Sequence, residues 1–188
     1  MGQKIYWFIP VLLVAALAII KGLSSDDEQI STFQERPVAP DFVLRDLQGK
    51  PVRLADFSGQ VRIVNFWATW CGPCWMEIPH LQELYDKYRA QGVMVIGISL
   101  DQGGSQVVQP FVEEVGITYP VALGDRQTTQ AYGGVSAIPT SFIVDRKGRI
   151  YRIYMGYRDK AEFEAAIQAL LHESAATRQP TGGVLWRG

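Results

Sequence analysis

Cys71 and Cys74 are the only cysteines in this 188-residue chain, and Gly72 and Pro73 stand between them. Two thiols at this spacing close a short intrachain disulfide when the first sits at a helix N-terminus, and Gly-Pro suits the tight start of such a helix. Unpaired N–H groups at that end favour a thiolate, which makes Cys71 the expected nucleophile at neutral pH, in an exposed N-cap position. Cys74, one turn further in, is the sheltered thiol that resolves a mixed disulfide by attacking Cys71. The competing use of Cys-x-x-Cys is half of a zinc site. It fails on ligand count, because no further cysteine exists and the two histidines, His80 and His172, are far apart and in no ligand-pair spacing. No metal is expected, and no cofactor beyond the redox-active pair itself.

The residues around the pair carry several readings. Glu77 follows Cys74 by three positions and shares roughly its helix face, where a carboxylate can take the Cys74 proton; an ordinary solvated glutamate fits the same spacing. Asn65 precedes Cys71 in a strand and faces the side of Ile63 and Trp67; a neutral amide is no base. Trp70 and Trp75 flank the cysteines. Trp75 lies outside the apolar stripe of the helix and is a partner-binding aromatic, a lid over the disulfide, or packing under the preceding loop. Ile138-Pro139 enters a later strand, and its backbone can meet an extended substrate chain; spacing alone favours the ordinary trans bond.

The elements that must position these groups are legible as periods. Val61–Phe66 is apolar enough for a strand covered on both faces, and the helix from about Pro73 carries Ile78, Leu81, Leu84, Tyr85 and Tyr88 at three-four spacing. Pro79 should bend that helix. Val93–Ile98 is another buried strand, joined to the first by a parallel crossover. Phe42–Arg45 and Pro51–Leu54 predict a hairpin turned at Gly49. A helix over 107–115 bent or delayed by Pro110, a strand over 119–123, a short helix over 128–132, a hairpin of 138–144 with 150–155 and a last helix over 159–172 complete an α/β sandwich with a central mixed sheet.

Ahead of this domain, Ile5–Ile20 is an uncharged run of sixteen residues between Lys4 and Lys21, about 24 Å as a helix. It predicts a transmembrane signal anchor over 1–23, with the positive flank in the cytoplasm and the acidic residues 26–28 outside. Ala16-Leu17-Ala18 is the alternative, a signal-peptide cleavage site, and either reading exports the domain. Residues 24–36 predict a linker, 37–173 the folded domain and 174–188 a loosely ordered tail. A net charge of -1 with no basic block excludes a phosphate-tracking nucleic-acid surface.

Trp70-Cys71-Gly72-Pro73-Cys74, Ile138-Pro139-Thr140 and the terminal hairpin and helix resemble the thioredoxin fold. The anchor, Glu77 and the helix-strand insertion between Ser105 and Leu123 resemble more narrowly the TlpA/ResA group of extracytoplasmic thiol-disulfide oxidoreductases, over about Pro37 to Leu171. The resemblance implies a thioredoxin-like three-layer sandwich, Cys71 as surface nucleophile, Cys74 as its partner, Glu77 as a modulator of their acidity and Pro139 as a cis-proline facing the disulfide. Trp70, Gly72, Pro73, Trp75, Ile138 and Pro139 are the expected substrate-binding residues. Thioredoxin itself has a buried aspartate where Asn65 stands.

The same resemblance implies a monomer at the cell inner membrane, its domain on the periplasmic side, reducing disulfides of exported proteins such as apocytochrome c or metal-site assembly proteins. Its electrons would come from a membrane thiol donor of CcdA/DsbD type. A disulfide oxidant or isomerase, a thiol peroxidase and a non-enzymatic holdase or assembly adaptor are the alternatives.

Overall fold

A computed structural model of the protein describes residues 36–176, with side chains described to residue 173. The expected anchor, all but the last residue of the expected linker and the tail from residue 177 lie outside the described residues. Among the described residues, no helix is long and apolar enough to cross a membrane.

Seven strands, β1 (Val43–Asp46), β2 (Pro51–Arg53), β3 (Val61–Trp67), β4 (Val93–Ser99), β5 (Val121–Leu123), β6 (Thr140–Val144) and β7 (Ile150–Met155), form one mixed sheet in the order β2-β1-β5-β4-β3-β6-β7. The hairpin of β1 and β2 forms one edge, and β1 pairs antiparallel with β5. At its turn Asp46 Oδ1 accepts from Gln48 N–H at 2.9 Å and Lys50 N–H at 2.7 Å, and Gly49 takes φ 80°, a conformation that glycine reaches without steric cost.

The centre is β3, whose seven residues are all buried, between β4 in parallel register and β6 in antiparallel register. β7 closes the other edge. A strand with no polar face is the pattern expected where both sides of a sheet are covered.

One face is covered by α1 (Gly72–Tyr88), α2 (Ser105–Val115) and α4 (Lys160–Ala176), which bury Ile78, Leu81, Phe111, Phe163 and Ile167 against Ile63, Trp67 and Val95. The opposite face is covered by the N-terminal segment around Ala39 and Phe42, the 3₁₀ turn Leu54–Phe57 and Tyr132 at the end of α3 (Arg126–Ala131). Helices thus lie on both sides, with the three longest on one.

Element bounds move for local reasons. The strand expected over 119–123 shortens to Val121–Leu123, since Pro120 has no N–H to give a ladder. The short helix begins two residues earlier because Asp125 caps it, accepting from Thr128 N–H at 2.6 Å. The last helix runs to Ala176, past the expected His172, because no glycine or proline interrupts Glu173–Ala176. Asp159 caps it, accepting from Glu162 N–H at 3.0 Å. Pro79 and Pro110 lie inside α1 and α2 without ending them.

Candidate active site

β3 delivers the chain to the end of the sheet, and four residues after its last member Cys71 becomes the N-cap of α1, with Pro73 in the first turn. Cys71 and Cys74 are joined by a disulfide of 2.09 Å with their Cα atoms 5.3 Å apart. Cys71 Sγ also accepts from Cys74 N–H at 3.2 Å, so the sulfur takes one of the helix-end donors that side-chain oxygens usually satisfy.

The expectation of an exposed Cys71 is corrected: it is 5% exposed, and Cys74 is fully buried. The carbonyl of Ile138 packs on it, with its oxygen 3.7 Å from Cys71 Sγ. The exposed groups beside it are Trp70, at 71%, with Gly72 and Pro73. The Ile138–Pro139 peptide bond is cis, against the expectation from spacing alone and in line with the resemblance. Pro139 O accepts from Gly156 N–H at 2.8 Å, which ties this loop to the residue after β7.

Glu77 is not a solvated glutamate. It is 1% exposed, one turn along α1 from Cys74, and faces β3. Asn65 Nδ2 donates to its Oε1 at 2.9 Å and Arg158 N–H donates to its Oε2 at 3.0 Å. Asn65 Nδ2 also donates to Ser141 Oγ at 2.9 Å, across the β3–β6 register pair Asn65↔Ser141. Burial pushes the Glu77 carboxyl up to about 7, against the hydrogen bonds from Arg158, Asn65 and Ser141, which favour the anion. Near neutral pH this carboxyl therefore populates both its protonated and its ionised form.

Trp75 packs against the preceding loop. Its Nε1–H donates to Thr69 O at 2.7 Å, and its ring meets Phe111 of α2 edge-on at 4.8 Å while staying 44% exposed. Phe111 in turn lies 5.0 Å from Trp67, so the insertion helix is packed through aromatic rings to both sides of the cysteine loop. His80 is half-buried with its ring 6.1 Å from Tyr157, and His172 is exposed. Among the described residues, no group of three or more His, Cys, Asp or Glu is gathered to hold a metal.

Three partners of Glu77 were not legible as such. Asn65 was readable only as a failed base, whereas it acts as a donor. Ser141 offered only a weak signal, a small polar residue that with Thr140 leads into the apolar run Phe142–Val144. Arg158 contributes a backbone N–H, for which side-chain chemistry carries no signal.

Residues 36–153 match the AhpC/TSA family. The thiol-disulfide oxidoreductase ResA of Bacillus thuringiensis (strain Al Hakam) is 33% identical over 172 residues, covering 89% of this chain and 97% of that protein. The protein of the same name from Bacillus subtilis (strain 168) is 36% identical over 152 residues, 79% of this chain and 82% of its own. Among solved structures, a thiol:disulfide interchange protein of the thioredoxin family from Chlorobium tepidum TLS superposes with a TM-score of 0.67 at 33% identity, covering 72% of this chain and 97% of that one. StoA from Bacillus subtilis superposes with a TM-score of 0.58 at 28% identity, covering 69% and 97%. With a disulfide at the start of α1 and relatives of this similarity over most of its length, the chain belongs to the AhpC/TSA family and to the ResA-like thiol-disulfide oxidoreductases of the thioredoxin superfamily, enzymes whose redox group here is the Cys71–Cys74 disulfide.

Proposed function

We propose that this enzyme is an extracytoplasmic, membrane-anchored monomer that reduces disulfides of exported proteins. The observation that carries the reading is Glu77, a buried carboxyl with an affinity for protons matched to neutral pH, one helical turn from Cys74.

In the reduced protein the Cys71 thiolate, favoured by the N-terminus of α1, attacks one sulfur of the target disulfide. The target S–S bond breaks, one target thiolate leaves and takes a proton, and a mixed disulfide with Cys71 forms. Cys74 then gives its proton to Glu77 and attacks Cys71 Sγ, releasing the second target thiolate. The target gains two electrons, and the enzyme is left in the disulfide form seen in the structure. Trp70, Gly72, Pro73, Trp75, Ile138 and Pro139 form the rim on which the target docks. The uncharged run from Ile5 to Ile20 supports an anchor that holds the domain outside the cytoplasm, where a membrane thiol donor of CcdA/DsbD type re-reduces Cys71–Cys74. Apocytochrome c and metal-site assembly proteins are the target classes that the family resemblance favours.

Two measurements test this. Equilibration with glutathione buffers should give a potential near the thioredoxin value of about -270 mV; one near about -120 mV makes the protein an oxidant instead. A Cys74→Ser variant should accumulate mixed disulfides through Cys71 with exported proteins. The AhpC/TSA match also supports a second reading, a thiol peroxidase, which requires hydrogen peroxide consumption that a Cys71→Ser variant abolishes.

A further inference from the structure

The loop that carries Trp70 into Cys71 is held by a residue beyond the neighbouring strand. Asp101 lies two residues past the end of β4, and its carboxylate accepts twice from Thr69, from N–H at 3.0 Å and from Oγ1–H at 2.7 Å. Ser99, 1% exposed, orients that carboxylate: its Oγ donates to Oδ2 at 2.9 Å and accepts from Asp101 N–H at 3.1 Å. The remaining polar group of Thr69, its carbonyl, accepts from Trp75 Nε1–H. All three polar groups of Thr69 are therefore committed, two of them to one anion in a fixed two-point geometry. The next residue, Trp70, projects 71% exposed beside the buried Cys71.

We propose that Asp101 is a positioning residue for disulfide exchange: by clamping Thr69 it holds Trp70 outward beside Cys71 as a rigid platform for a protein disulfide. The proposal rests on the exchange reaction given above. Asp101 meets neither sulfur in the hydrogen bonds it makes, so its effect passes through Thr69. An aromatic anchor contributes to docking in proportion to how little freedom it loses on binding, and a two-point clamp removes that freedom beforehand. A small disulfide reaches Cys71 without covering Trp70 and gains nothing from the platform.

The test is the second-order rate constant of the fully reduced protein with two oxidants, insulin and glutathione disulfide. Asp101→Ala should slow the reaction with insulin about tenfold, the equivalent of about 1.4 kcal/mol. The rate with glutathione disulfide and the reduction potential should stay within about twofold of wild type. Asp101→Asn should restore the insulin rate, because its amide oxygen accepts from Thr69 N–H and Ser99 while its NH₂ donates to Thr69 Oγ1. Adding Asp101→Ala to Trp70→Ala should cost nothing more. Equal losses with both oxidants, no loss with insulin, or an Asn variant as slow as the Ala variant would each overturn the proposal. Wild-type protein inert toward both oxidants would instead overturn the exchange function itself. If Asp101→Ala fails to fold, Thr69→Val, which keeps the N–H bond and deletes the hydroxyl, carries the same comparison with a smaller loss.

Discussion

Glu77 Oε1 lies 2.9 Å from Asn65 Nδ2, and both residues are only 1% exposed. A carboxyl and an amide so enclosed, three residues along the helix from a redox-active cysteine, form the polar centre of an otherwise apolar layer between β3 and α1.

Removing the carboxyl should remove a pH dependence of stability. The native state holds the Glu77 proton up to about pH 7, whereas the unfolded chain releases it near 4.5. Between those values the native state binds more protons, so stability falls as pH rises through the window, by about 3 kcal/mol at most. Glu77→Gln should abolish the fall and be the more stable protein at pH 8. Urea unfolding of both oxidised proteins at pH 5 and pH 8 checks it, and parallel losses in the two would reject the assignment.

Asn65→Ala deletes the donor to Glu77 and the donor to Ser141 together. The anion loses stabilisation while burial persists, so the Glu77 carboxyl should titrate above the present value of about 7. Stability above that pH should drop by about 1–3 kcal/mol. Carboxyl ¹³C chemical shifts followed through a pH series give the midpoint directly; an unchanged midpoint is the contrary result.

Gly97→Ala tests the packing behind this layer. Gly97 is the register partner of Asn65 on β4, and an added Cβ would stand 2.8 Å from Trp67 Nε1 and 3.2 Å from Tyr119 Cε2. Both rings are buried, so the strand or the indole must shift, at a cost of about 1–3 kcal/mol. A denaturation midpoint equal to wild type would show that the layer has slack.

Phe111→Ala should cost about 3–5 kcal/mol, since the ring is 5% exposed and fills the space between Trp67 and Trp75. Phe111→Leu, which keeps most of the volume, should cost under half as much. Chemical denaturation of the series decides, and a similar small loss in both would mean that α2 is not docked through this residue.

Much of this arrangement is legible from residue order. β3 announces itself because every position is apolar or small except Asn65 and Arg62, and α1 because Ile78, Leu81 and Leu84 repeat at helical spacing. Cys71 and Cys74 declare a disulfide by their spacing and by the lack of any other ligand. The environment of Glu77 is a different matter. Whether it is solvated or enclosed depends on Asn65, Ser141 and Arg158, which are 12, 64 and 81 positions away, and on a β3–β6 register that local pattern does not set. Trp75 is similarly opaque, because its packing depends on how α2 lies across the cysteine loop. Periodicity reports which face of an element is buried; it says nothing of which distant backbone group will reach that face.

The complete burial of β3 has a bearing on how the molecule opens. Its amides are paired on both sides, to β4 and to β6, and its side chains are covered on both faces, so they should exchange with solvent only when the whole sheet comes apart. Cys71 follows the end of that strand by four residues, with its own N–H held by Ala68 O at 3.2 Å. The redox group is thus moored to the slowest-opening part of the protein, and thermal fluctuation has little means of carrying the cysteines away from the rim that must receive a partner.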